Sequence, residues 1–197
     1  MDPSELTGIL DFLREAERLK NTVRSSHTSR GRRESVAEHT WRLCLMALVL
    51  ERRFEGVDFE RLIKICIIHD LGEAIGGDIP APRQEAQPSK AEQERRDLIR
   101  LVEPLPAAVR DEITALWDQY ETASTPEAKL AKALDKLETI LQHNQGRNPE
   151  GFDYRFNLGY GSRFTVGDPV IIAIRKVLDE ETEQRARQAE ADNDHVA

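Results

Sequence analysis

The 197-residue chain is poor in several things, and each shortage excludes a class of protein. It has only two cysteines, Cys44 and Cys66, both in apolar surroundings and with no CxxC pair. They read as small buried hydrophobes in a reducing compartment. The longest uninterrupted apolar run, Leu43 to Leu50, is eight residues, too short to span a bilayer. Met1-Asp2-Pro3-Ser4-Glu5 has neither a basic start nor an apolar stretch, so no signal peptide is expected and the cytoplasm is the default location. With 11 glycines and 9 prolines the chain is neither low-complexity nor fibrous. Basic residues fall short of acidic ones, 28 against 36, a net charge of −8. That balance argues against a general nucleic-acid or anionic-membrane binder, and leaves room for a small anionic substrate held by a few local cations. What the chain does have is 39% hydrophobic and 32% charged residues, enough for one soluble domain with a buried core.

Periodicity is helical almost throughout, with no sustained alternation of strand type. An amphipathic stretch from Ser4 to Leu19 places Leu6, Ile9, Leu10, Leu13 and Ala16 on one face. A polar, basic connector runs from Lys20 to Arg33. Ser35-Val36-Ala37-Glu38 has the pattern of a capping box and opens a helix to about Phe54. A third helix is expected from Asp58 to the glycine stop at Gly76-Gly77, followed by a proline-rich loop from Asp78 to Pro88. Helices over 89–102 and 106–120 come next. Thr125-Pro126 then caps one reaching Gln145, Gly146 to Gly167 is a loop, and a last helix starts near Pro169. The expected architecture is a single all-α bundle of six or seven helices. Its domain spans 1–178, with core motifs in 34–142, and residues 179–197 form a charged, frayed tail.

Between Leu62 and Leu71 the only polar residues are Lys64, His69 and Asp70. A histidine and an aspartate side by side in so apolar a helix are costly to bury without partners. A divalent cation would satisfy both, since imidazole nitrogen and carboxylate oxygen suit a first-row metal. A plain hydrogen-bonded His-Asp pair is the competing reading. On the preceding helix Val36, His39, Leu43, Met46 and Leu50 form a core-facing stripe, so His39 points inward as a second nitrogen donor. Glu38 is assigned to the capping box. A fourth, acidic ligand should come from another helix. Asp135 is the candidate, although Glu138 lies on the same side.

In this order His39, His69-Asp70 and Asp135 match the H…HD…D pattern of the HD-domain metal-dependent phosphohydrolases. Residues 34–39 (ESVAEH), 69–74 (HDLGEA), 77–80 (GDIP), 116–121 (LWDQYE) and the LDKLE core at 134–138 resemble the 5′-deoxynucleotidase branch, over about residues 6–145. The resemblance implies hydrolysis of (2′-deoxy)nucleoside 5′-monophosphates on one divalent ion of the Mn or Co type. It also implies substrate contact by Asp78 at the sugar and leaving oxygen, and a homodimer. Glu73, four residues after His69, shares the helix face of the dyad and is the acid-base candidate. The family places a phosphate-binding arginine just after the first helix. Arg24 lies nearest, with Arg30, Arg32 and Lys20 as alternatives. The aromatic residue that often follows that arginine is replaced here by Ser25-Ser26-His27.

Five of the eleven aromatic residues cluster at Phe152, Tyr154, Phe156, Tyr160 and Phe164. The favoured reading is a cap over the helical core; a lid or a dimer contact is the alternative. Cys66 is read as core, and His143 is not counted as a ligand. Two other functions compete with the nucleotidase: another HD-type phosphohydrolase acting on triphosphates or guanosine tetraphosphate, and a non-catalytic nucleotide or metal sensor.

Overall fold

A computed structural model describes residues 2–78 and 90–194. Helix α1 (Pro3–Ala16) starts where the Asp2 side chain accepts from the Ser4 N–H at 2.9 Å, with proline in the first turn where its missing N–H costs nothing. A single 3₁₀ turn (Glu17–Lys20) leads into a two-stranded antiparallel hairpin, β1 (Val23–His27) and β2 (Arg33–Ser35). This hairpin lies in the polar, basic connector, where no strand was expected. Its strands are short and polar, without the alternation that marks a strand in sequence. They are fixed by cross-strand pairing and by Arg33, whose guanidinium donates to the Arg24 and Val23 carbonyls.

The expected capping box is present: Ser35 and Glu38 satisfy each other's backbone N–H groups and launch α2 (Val36–Leu50). Asp58 caps α3 (Phe59–Ile68). Here the structure departs from the continuous helix expected to Gly76. The winding tightens after Ile68 into i→i+3 hydrogen bonds, and a separate four-residue α4 (Glu73–Gly76) follows. Gly72 explains the break. A Cβ there would lie 2.5 Å from the Glu94 carbonyl oxygen, so only glycine lets α5 (Lys90–Val102) pack against this turn. The proline-rich loop expected after Asp78 lies largely outside the described residues.

Helices α6 (Ala107–Thr122) and α7 (Pro126–Gln145) complete the bundle around the site. Helix α7 is the central one, with 15 of its 20 residues buried, and it packs against α2, α3, α6 and β1. Leu134, Leu137 and Ile140 meet Leu43, Leu62 and Ile65 in a core without solvent exposure. Each such side chain contributes roughly 1.5–3 kcal/mol of burial. The short α8 (Phe156–Gly159) interrupts the aromatic loop.

The last helix, α9 (Pro169–Asp194), continues through most of the segment expected to fray. Thr182 and Ala186 are buried against α7; Thr182 donates to Asn144 Oδ1 at 2.9 Å and Arg185 to the Asn144 carbonyl at 2.7 Å. Among the described residues seven helices have ten or more residues, in line with an all-α bundle. None is long and apolar enough to cross a membrane.

Candidate metal centre and cleft

Three elements bring the motif residues together. His39, in the first turns of α2, is fully buried, and its Nδ1 is bonded to Glu138 of α7. Arg42, three residues after His39, donates from Nε to the other Glu138 oxygen at 2.7 Å. His69, where α3 ends, donates from Nδ1 to the Cys66 carbonyl at 2.8 Å, and its own carbonyl accepts from the Trp117 indole at 3.0 Å. Both imidazoles thus spend Nδ1 on the protein scaffold and turn Nε2 to the same place. Asp70 Oδ2 lies 3.0 Å from His69 Nε2 and 3.9 Å from His39 Nε2.

The donor atoms of His39, His69 and Asp70 all fall within 4.8 Å of one another. His39 Nε2, His69 Nε2 and Asp70 Oδ2 are buried and have no hydrogen-bond partner among the described residues. Buried polar atoms without partners are expensive, and three of them converging on one point fit a shared divalent cation. Second-sphere bonds at both Nδ1 atoms are what a histidine-ligated metal requires. Asp135 approaches from α7: its Oδ1 is 3.2 Å from His39 Nε2, while Oδ2 accepts from Tyr120 at 2.7 Å and pairs with Lys136 at 2.9 Å.

Electrostatics point the same way. Burial and Arg24 both oppose charge on His39, yet Glu138 and Asp135 outweigh them and hold the imidazole up at about 9. Burial works against the Asp70 carboxylate, but His69, His39 and Arg24 keep it well below the usual carboxylate range. Asp135 is likewise held down against burial by Lys136 and His39. The convergent carboxylates demand positive charge at this point, which a divalent ion supplies.

His69, Asp70 and Asp135 line a cleft of about 830 Å³. Of the expected phosphate-binding cations, Arg24 reaches it. Its Nη2 donates to Thr139 at 3.0 Å, and Nη1 stands 3.6 Å from Asp70 Oδ2. Lys20 and Arg30 are exposed, and Arg32 is clamped to Glu38 by two bonds of 2.8 and 2.6 Å. Glu73 lines the cleft, buried, with Oε1 3.6 Å from Lys90 Nζ and Oε2 without a partner among the described residues. Burial, reinforced by Asp70 and Asp78, pushes its carboxyl well above the ordinary range. Burial and Asp70 raise Asp78 as well, against Arg24.

Two residues that support His39 were given no role from the sequence. Glu138 and Arg42 each follow a motif residue by three positions, on its own helix face, and that spacing is the signal that could have found them. The aromatic loop is the larger surprise: Phe156, Tyr160 and Phe164 line the cleft, so the loop is a wall of the site as well as a cover for the core. Arg175 of α9 pins it, donating to the Tyr160, Asn157 and Leu158 carbonyls at 2.6–2.9 Å.

Residues 16–175 match the family model described as HD domain. The chain is 36% identical over 184 residues to a 5′-deoxynucleotidase of Danio rerio (HDDC2), covering 89% of this chain and 88% of that one. It is 33% identical to the Homo sapiens 5′-deoxynucleotidase, covering 74% and 76% of the two. A crystal structure of a predicted metal-dependent phosphohydrolase from Magnetospirillum magnetotacticum superimposes with a TM-score of 0.78 at 31% identity, over 92% of this chain and 94% of that one. By its motifs, its fold and these matches, the chain belongs to the HD domain family.

Proposed function

We propose that the protein is a phosphoric monoester hydrolase that cleaves nucleoside 5′-monophosphates, 2′-deoxynucleotides foremost, to nucleoside and phosphate. One observation carries the reading: the unpartnered donors of His39, His69 and Asp70 converge, and His69 and Asp70 line a cleft shared with the Arg24 guanidinium and the buried carboxyl of Glu73. His39, His69, Asp70 and Asp135 are the residues that would hold the cation, and two imidazoles favour Mn or Co over Mg. When bound, that ion supplies Lewis acidity to the phosphoryl group and acidifies water. Arg24, which Asp70 and Asp78 keep charged despite burial, grips the phosphate oxygens. Water attacks phosphorus as the bond to the 5′ oxygen breaks. Glu73 gives its proton to that departing oxygen and regains one from the attacking water, so protons balance. Asp78, in the same cleft, takes the sugar and the leaving-group side.

A homodimer in the cytoplasm belongs to this reading. Trp41, Leu45, Leu48 and Val49 make an exposed apolar face on α2, suited to a second copy, and both cysteines are free thiols.

The test supplies metal-stripped protein with Mn, Co, Mg or Zn and offers deoxy- and ribonucleoside monophosphates, triphosphates and cyclic nucleotides. Phosphate release from monophosphates, abolished in Asp70→Ala, is expected. Release of pyrophosphate or tripolyphosphate would replace the reading with another HD-type phosphohydrolase. Tight nucleotide binding without turnover would replace it with a sensor.

A further inference from the structure

His143 lies eight residues beyond Asp135 on α7, about 80° round the helix from it, and lines the same cleft. It is 5% exposed, and its ring is held from two sides. Nδ1 is 2.8 Å from Oδ1 of the fully buried Asn157, and the ring stands edge-on to Phe152 with centroids 5.0 Å apart. A proton shared with an amide oxygen belongs to Nδ1, so Nε2 carries a lone pair. That Nε2 is buried without a hydrogen-bond partner among the described residues. Burial lowers the basicity of the ring, which keeps it neutral and accepting near pH 7. No metal-type cluster among the described residues includes it. A core histidine would have this atom satisfied; here it waits for a donor.

Position identifies the donor. At 1.5 Å per residue, His143 sits about 12 Å along the helix from Asp135. A phosphate held at Asp135 and Arg24 ends well short of that, whereas the far edge of the base in an extended nucleotide reaches it. Two rings stand on the facing wall. Phe156 and Tyr160 are half-buried, tilted 32° to one another at 5.4 Å, and carried by the segment that Arg175 pins. Aromatic rings lining a polar cleft are stacking platforms, because every nucleobase has a π-face; Lys136 takes one face of Tyr160, its ammonium 5.2 Å from the ring centroid.

We propose that His143 and the Phe156–Tyr160 wall form the nucleobase subsite: the base stacks on the wall and donates a hydrogen bond to His143 Nε2. The assignment rests on the nucleotide reading of the cleft and adds where the base lies and what reads it. His143 acts on binding and takes no part in proton transfer.

The experiment compares a deoxynucleoside 5′-monophosphate with deoxyribose 5-phosphate, which has the sugar and phosphate but no base, in wild type, His143→Ala and Phe156→Leu. Each variant should raise KM for the nucleotide about tenfold with kcat little changed, and leave deoxyribose 5-phosphate unaffected. His143→Gln, which keeps an accepting oxygen, should recover part of the loss. Equal losses on both substrates, or none on the nucleotide, would overturn the subsite. If His143→Ala fails to fold, Phe156→Leu, a change of one half-buried ring, decides alone. Wild type that cleaves both compounds equally well would also refute the subsite while leaving monophosphate hydrolysis intact. If no monophosphate is cleaved, the functional reading fails separately. Calorimetric titration with free deoxynucleoside then decides the subsite: binding to wild type but not to His143→Ala supports it, and no binding to wild type rejects it.

Discussion

Glu138 is not among the four residues proposed to hold the cation, yet at the scale of single residues it fixes His39. Its carboxylate takes the His39 Nδ1 proton and is itself anchored by Arg42, so it sets both the tautomer and the angle of the ligand ring. Glu138→Gln should keep the fold and weaken metal affinity by about 10–100-fold, read by titrating metal-stripped protein. Unchanged affinity would show that Asp135 and the α2 backbone orient His39 unaided. Glu73 works through its proton. Its folded-state pKa lies well above the ordinary carboxyl value, so the acid form is held to higher pH than in a free carboxyl and is lost as pH rises through that raised value. Activity should therefore fall on the alkaline side. In Glu73→Gln, kcat should drop about 10²–10⁴-fold and that alkaline limb should disappear from the kcat profile. A variant retaining the limb would assign it to another group. At this scale the candidate ligands were legible because histidine and aspartate in an apolar helix have few reasons to exist. Asp135 and Glu138 were not separable, since both lie on one face of α7. Only the packing of α2 shows that the first meets Nε2 and the second Nδ1.

At the scale of elements, the helices and their caps followed from periodicity, Ser35, Asp58 and Thr125, because capping is a local bond the sequence can state. What escaped was set by distant contacts. The turn at His69–Gly72 looks like continued helix in sequence, and it tightens because α5 presses on Gly72. Gly72→Ala puts a methyl group against the Glu94 carbonyl, so backbone must move on one side or the other. A loss of about 1–3 kcal/mol in urea unfolding is expected, with a fall in activity at fixed metal saturation, because Asp70 and Glu73 flank the turn. Wild-type stability and rate in this variant would mean that α5 does not constrain the turn. The hairpin escaped for a related reason: Val-Arg-Ser-Ser-His has no apolar alternation, and its pairing serves to deliver Arg24 to the cleft.

For the whole molecule, α7 is both the core and the floor of the site, so stability and function share one element. Helix α9 seals its far side through residues beyond 178. Ending the chain at Leu178 removes the Thr182 and Arg185 bonds to Asn144 and uncovers that end of α7. Thermal or urea unfolding should show a loss of about 2–3 kcal/mol; no change would return the segment to the role of a frayed tail. The net charge of −8 also takes on a local meaning. Carboxylates at positions 34, 70, 73, 78, 135 and 138 gather near one proposed cation, which the composition alone counts as excess negative charge. The central claim is that this cation completes the cleft. Metal-stripped protein given a deoxynucleoside 5′-monophosphate and titrated with Mn tests it most directly. Phosphate release should rise and saturate at one equivalent per chain, and should be absent at every metal concentration in Asp70→Ala. Turnover that needs no metal, or that survives Asp70→Ala, would contradict the account.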